Sequence, residues 1–453
     1  MKLPPEILSL ICGPMSKKTL KCVRMACKAL EQAAIPFLSD EVFLSSTYFD
    51  FEVANHVTTH FAQHIKTITF VSRHFPNYTE TQLTKLLQFE PSGWSRDFIE
   101  DHEHDAFAAY CKMRVEHDKI IKSGELLAQL RKLLMRLPAV RKLALTDRGC
   151  GFMYKSNQFY SHHLWKSRDF CPRGPCTRPP VHHARYHIAP ESAYKNDHPN
   201  LWHLIMRALS IADPPITEIV SKSTQYSCLI PMGSFVMTPR QMQDVTMRFR
   251  TLTKLRLSLS NEDTNQNEGA LRYVDDNSVA RALSAAVNLK NLFIQNDGDI
   301  RSTDDTWSFG SVILEGCRFP ELRSLILVNI DTEEEKLLNL LGASPRLENL
   351  FLCSFALYAG FWASAAARMK SILHLKNVEI TDFSDDLLSS PNVEPQYVFN
   401  SDHRLIEDFF LREGENPFTE QAIKDFYNNY DEAQRWEINE GIGDYEKHFE
   451  TYH

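Results

Sequence analysis

Leu322-Arg323-Ser324-Leu325-Ile326-Leu327 and, beginning at residue 347, Leu347-Glu348-Asn349-Leu350-Phe351-Leu352 share one phrase: apolar, two residues, apolar, one residue, apolar. Its last two apolar residues are two apart, the spacing that puts side chains on one face of a β-strand. The phrase recurs as Ile65-x-x-Ile68-x-Phe70, Val140-x-x-Leu143-x-Leu145, Leu252-x-x-Leu255-x-Leu257 and Leu289-x-x-Leu292-x-Ile294. Weaker copies are Ile216-x-x-Ile219 and the stretch around Leu373-x-Leu375. Each copy reads as a short strand.

Helical spacing precedes most copies: Leu126, Leu127, Leu130, Leu133 and Leu134 before Val140, and Leu201, Leu204, Ile205 and Leu209 before Ile216. Ala280, Leu283 and Ala286 precede Leu289, and Leu337, Leu338, Leu340 and Leu341 precede Leu347. The central apolar residues 255, 292, 325, 350 and 373 are 37, 33, 25 and 23 residues apart. An asparagine follows the strand at Asn296 and Asn329, whereas Leu352 is followed by Cys353 and Ser354. In phrase, period and asparagine the stretch from about 40 to 385 resembles the irregular leucine-rich repeats.

That resemblance implies an α/β solenoid of parallel strands with helices on the outer face. Its exposed sheet face would bind a target protein through side chains between the strand leucines: Arg256, Asn291, Arg323, Ser324, Glu348 and Asn349. The competing architecture is a doubly wound α/β enzyme. Neither G-x-G-x-x-G nor G-x-x-x-x-G-K-[ST] occurs, and the chain has only 16 glycines, so the phosphate-binding turn of such an enzyme is missing.

At 453 residues, 43% of them hydrophobic and 24% charged, the chain can bury a sizeable interior and suits a repeat array or two to three domains. Ten cysteines lack the dense, even spacing of a disulfide scaffold and read as reduced thiols. The opening Met-Lys-Leu-Pro-Pro-Glu does not read as a secretory signal, and no stretch approaches the roughly 20 apolar residues of a membrane span. An intracellular protein, cytoplasmic or nuclear and off the membrane, is expected. Residues 401 to 453 hold 14 acids and 5 bases; the rest holds 44 and 45, within a total of −8. A neutral body gives no general attraction to nucleic acid.

The N-terminus carries a second pattern. Pro4 and Pro5 open a helix where a missing N–H costs nothing, Glu6 complements its dipole, and Ile7, Leu8 and Ile11 share a face. After Gly13-Pro14, Ser16 can cap a second helix in which Leu20, Val23, Cys27, Leu30 and Ala34 recur at helical intervals until Pro36 stops it. Helices this short are expected to need a partner or the following repeat to cover them.

The run Leu3-Pro4-x-Glu6-Ile7-Leu8-x-x-Ile11, then Leu20-x-x-Val23-Arg24-x-x-Cys27-Lys28-x-Leu30, resembles the F-box, and the whole chain is similar to fungal F-box proteins with repeat C-terminal halves. The resemblance implies the substrate-recognition subunit of a cullin-type ubiquitin ligase, without chemistry or cofactor of its own. It implies that Leu3, Pro4, Ile7, Leu8 and Ile11 meet a Skp-type adaptor, which bridges to a cullin. Leu20, Val23, Cys27, Lys28 and Leu30 would shape or join that surface. An alternative is a repeat scaffold without ligase duty, whose first helices merely cap its open end.

Three further stretches stand apart from these patterns. Residues 146 to 200 interrupt the repeat and gather His162, His163, Cys171, Cys176, His182, His183 and His187, but without the paired spacing of structural zinc, so a surface loop is expected. Glu100-Asp101-His102-Glu103-His104-Asp105 reads as a solvated helix face rather than a metal site. No nucleophile elbow or zincin helix occurs. The acidic end is rich in aromatics, unlike a disordered tail, and Ala422, Ile423, Phe426, Tyr430 and Ala433 after Thr419 suggest a helix folded back on the last repeats, the alternative being a partner-binding arm. The expected organisation is therefore 1–38, F-box-like helices; 39–390, the repeat with an insertion at about 146–200; and 391–453, a C-terminal segment.

Overall fold

A computed structural model describes residues 3–71, 79–81, 103–146, 201–222, 230–231, 235, 237–260, 278–296, 316–384, 403–419 and 422. The insertion at 146–200, the acidic stretch at 100–102 and the helix expected beyond Ala422 lie outside these residues. The chain is α/β, and every strand pairing given below is parallel. It forms two compact units, residues 1–216 with 222–229 and residues 217–221 with 230–453.

The first unit begins with helices α1 (Pro5–Cys12), α2 (Lys17–Val23) and α3 (Lys28–Leu38). Strands β1 (Glu41–Ser45), β2 (Thr67–Val71) and β3 (Lys142–Thr146) follow, with α4 (Tyr48–Phe61) after β1. Helices α5 (Glu103–Lys122), α6 (Glu125–Leu134) and α7 (Leu201–Ala212) complete it. Val42, Ile68 and Leu143 stand side by side across the three strands, as do Leu44, Phe70 and Leu145. Strand β1 breaks the apolar phrase, since Ser39 occupies its first position, and periodicity alone does not find it.

The second unit contains β4 (Glu218–Lys222), β5 (Ile230–Pro231), α8 (Pro239–Phe249), β6 (Lys254–Ser260), α9 (Ser278–Ser284) and β7 (Asn291–Asn296). It continues through β8 (Ser324–Glu333), α10 (Glu334–Gly342), β9 (Asn349–Ala359), α11 (Trp362–Ile372), β10 (Asn377–Ser384) and α12 (His403–Leu411). The strand order β4-β6-β7-β8-β9-β10 follows the chain, with the two-residue β5 also on β6. A doubly wound sheet reverses its strand order partway, and no reversal occurs among these strands.

One hydrogen-bond device is repeated in both units. The carbonyl of the residue just before each strand accepts the N–H groups of the two residues that enter the next. Asp40 takes Lys66 and Thr67, Lys66 takes Arg141 and Lys142, and Thr253 takes Lys290 and Asn291. Lys290 takes Arg323 and Ser324, Arg323 takes Glu348 and Asn349, and Glu348 takes Lys376 and Asn377. The first apolar residue of each phrase lies outside the strand, in the turn before it. Leu252, Leu289, Leu322 and Leu347 each donate to the carbonyl three residues back, and all four are buried.

The two later apolar positions form the core rows. Ile219, Leu255, Leu292, Leu325, Leu350 and Val378 are in register, none more than 1% exposed. Each such side chain contributes roughly 1.5–3 kcal/mol relative to exposure. Helix faces that the spacing had marked cover these rows: Leu337, Leu338, Leu340 and Leu341 of α10 are buried, as are Leu126, Leu130, Leu133 and Leu134 of α6 in the first unit.

Two registers read from sequence are corrected. The last strand is not centred on Leu373-x-Leu375 but on Val378 and Ile380, opposite Leu350 and Leu352, so the final interval, from 350 to 378, is 28 residues. Leu373 ends α11 instead, its N–H donating to Met369. Pro36 does not stop a helix at Ala34. The helix breaks earlier, between Val23 and Lys28, and α3 carries Pro36 through to Leu38, because a proline near a helix C-terminus forfeits a single N–H bond.

Candidate docking surface

Helix α1 starts on Pro4, with Pro5 in its first turn and Glu6 at its positive end. Ser16 caps α2, its Oγ accepting the Thr19 N–H at 3.1 Å. Leu8, Cys12, Leu20, Ala33 and Ala34 are buried together, with Met15, Val23, Leu30, Phe37 and Leu38 packed against them. The three helices thus have a small core of their own, which the sequence reading denied them on grounds of length.

That core is tied to β1. Lys17 Nζ lies 2.8 Å from Asp40 Oδ1 and 3.5 Å from Glu41 Oε2, while Thr69 of β2 donates to Glu41 Oε1 at 2.6 Å. Only Ser39 and Asp40 separate α3 from β1.

With one face spent on this core, α1 still presents apolar side chains to solvent. Leu3 is 50% exposed, Ile7 41%, Leu10 72% and Ile11 42%. A further apolar group, Met25 between α2 and α3, is 82% exposed. Exposed apolar groups gathered on one short segment mark an interaction site, whereas scattered ones do not.

The residues singled out from sequence therefore divide. Leu3, Pro4, Ile7, Ile11, Cys27 and Lys28 are exposed and available. Leu8 and Leu20 are buried and Val23 and Leu30 half-buried, so these four build the unit rather than offer a surface. Leu10 and Met25 were missed. Leu10 stands one turn from Ile7 and seven residues from Leu3, and a helix apolar on nearly all sides was read as having a single face.

The sheet-face residues also divide, and the expectation of an exposed binding face is corrected for three of them. Arg256, Ser324 and Asn349 are 2%, 2% and 6% exposed; Asn291 and Glu348 are half-buried, and only Arg323 is open. Val220, Phe293, Ile326, Val328, Phe351 and Cys353 form a buried apolar cluster on that side of the strands. The Arg256 guanidinium lies 4.2 Å from the centre of the Phe293 ring. The signal was present: Phe293, Ile326 and Phe351 sit between the leucines, giving the continuous apolar runs of strands buried on both faces.

A groove of about 500 Å³ runs between α4 and α6, lined by Tyr48, Glu52, Asn55, His56, Lys132 and Arg136 among others. Arg136 donates to Asn55 Oδ1 at 3.3 Å, and the Tyr48 hydroxyl donates to Glu125 at 2.7 Å, which raises its pKa. The lining brings no nucleophile against a base. Among the described residues no three His, Cys, Asp or Glu side chains converge as a metal site, and no helix is long and apolar enough to cross a membrane. No protein-family profile matches the chain, and no curated protein is significantly similar to it.

Proposed function

We propose that the chain is the substrate-recognition subunit of a cullin-type ubiquitin ligase. Its three-helix unit docks a Skp-type adaptor, and an irregular leucine-rich repeat, the reading that fits the recurring turn and strand device, holds a target protein. The observation that carries this reading is the exposed apolar stripe Leu3, Ile7, Leu10 and Ile11 on a unit whose own core is already filled. A helical cap that only closed a repeat would turn such residues inward. The chain performs no catalysis in this reading and needs no cofactor.

The adaptor contacts are Leu3, Pro4, Ile7, Leu10 and Ile11, joined by the exposed Met25, Cys27 and Lys28 at the passage from α2 to α3. Leu8 and Leu20 act indirectly, by holding α1 and α2 in place. Target recognition falls to Asn291 of β7 and to Arg323 and Glu348 just before β8 and β9, the candidates with solvent access.

The test is co-purification of the full chain with a purified Skp-type adaptor. Ile7→Asp with Leu10→Asp leaves the unit's core intact, unlike any change at Leu8, and is expected to abolish the complex. Unchanged adaptor recovery with the doubly substituted chain would refute the docking reading and favour the scaffold without ligase duty.

A further inference from the structure

Helix α2 carries a charge pattern that its own stability does not explain. Residues 17 to 28 contain Lys17, Lys18, Lys21, Arg24 and Lys28 and no acid. Lys17 and Lys18 lie in the first turn, which has no acidic residue, so both oppose the helix dipole. Lys17 is compensated by Asp40 and Glu41. Lys18, Lys21, Arg24 and Lys28 are exposed and have no ion pair among the described residues. Uncompensated cations of one sign on a short segment, against a body of near-zero net charge, concentrate a local positive field.

Met25, the most exposed of these apolar side chains, falls between Arg24 and Lys28, one helical turn after Lys21. An apolar group among cations suits a protein surface with an apolar pocket and an acidic rim. A lipid surface suits it less, because membrane-surface helices set Trp, Phe or Leu opposite a basic face along one amphipathic helix, whereas α2 spans seven residues and Met25 lies beyond its end. The only aromatic residue in 3–39 is Phe37, which packs in the core.

Resting on the adaptor-docking reading, we infer that Lys18, Lys21, Arg24 and Lys28, flanking the exposed Met25, form the electrostatic part of the docking surface and take an acidic protein surface. They speed encounter, while the apolar stripe of α1 sets how long the complex lasts. Rim charges act mainly on association rates and salt dependence, and buried apolar contacts act on dissociation.

The experiment measures association and dissociation rates of the full chain with a purified Skp-type adaptor across a salt series. It compares wild type with Lys18→Glu/Lys21→Glu/Arg24→Glu and with the corresponding Gln triple. These side chains are exposed, and a Glu at 18 suits the dipole, so folding is retained; an unchanged thermal midpoint checks it. Expected is an association rate that falls as salt rises, slowed about tenfold or more by charge reversal and less by neutralisation, with dissociation little changed. Binding by wild type with rates indifferent to salt and to the reversal overturns this inference and leaves the docking reading standing. No binding by wild type overturns both. A second arm uses vesicles of mixed phosphatidylcholine and phosphatidylserine: vesicle binding lost in the Glu triple, with adaptor rates unaltered, assigns the cations to lipid and also overturns the inference.

Discussion

Ser354 holds a backbone φ of +48°, and Asn329, which the register of β8 and β9 sets beside it, holds +57°. Left-handed backbone costs an ordinary L-residue roughly 1–2 kcal/mol, and asparagine is among the few that tolerate it. Asn329 also uses its side chain, donating Nδ2 to the Asn296 carbonyl at 3.1 Å. Of the two asparagines read from sequence, Asn329 thus marks a left-handed bend in β8, and Ser354 makes the same bend in β9 without the favoured residue. Ser354→Asn is expected to stabilise the protein by about 0.5–1 kcal/mol, read as a higher thermal midpoint. Ser354→Val is expected to lower it. A nearby bend depends on glycine: Gly360 has φ +107°, and a Cβ there would come within 2.5 Å of the Glu334 Cβ. Glu334 itself accepts from the Phe361 N–H, the Ser364 hydroxyl and Arg368, so a buried carboxylate is satisfied and anchors the start of α11. Beyond Asn329, none of this was readable from residue types. It depends on which residues the fold brings together.

Elements were more readable than their ends. Helix α8, which the leucine spacing did not mark, begins at a capping box in which Thr238 and Gln241 each meet the other's backbone N–H, with Pro239 behind the cap. Thr238→Ala is expected to cost about 1 kcal/mol, seen as a lower denaturation midpoint with an unchanged slope. Strands were recognised where leucine spacing was strict, as at Leu325 and Leu350. They were missed or shifted where it was not: β1 lacks the first apolar residue, and β10 follows a decoy pair, Leu373 and Leu375, that belongs to the end of α11 and the turn after it. The exposed sheet face failed for a different reason. Period-two spacing identifies one buried face but says nothing of the other, and only Phe293, Ile326 and Phe351 between the leucines told that both are covered. The three N-terminal helices were given no core because their length was weighed without the small residues Ala33 and Ala34, which let them pack closely.

At the scale of the molecule, two compact units share one hydrogen-bonding device. The first unit also carries the helices with the exposed apolar stripe. Aromatic packing closes the second: Trp362 stacks on Phe418 at 5.6 Å, and Phe355 and Phe383 meet Trp362 edge-on or tilted. This brings part of the C-terminal segment onto α11 and β10. Composition marked that segment by its acids and aromatics, and it could not say which aromatic is an anchor. What binds the whole chain is likewise not written in its periodicity. The functional reading comes from a short motif and from what that motif leaves exposed.

Hydrogen–deuterium exchange on the full chain, alone and with a purified Skp-type adaptor, tests that reading most directly. The expected result is slowed exchange over the three N-terminal helices, residues 5–38, with the strands of the second unit unchanged. Protection confined to those strands, or none anywhere at adaptor concentrations that saturate known partners, would contradict it.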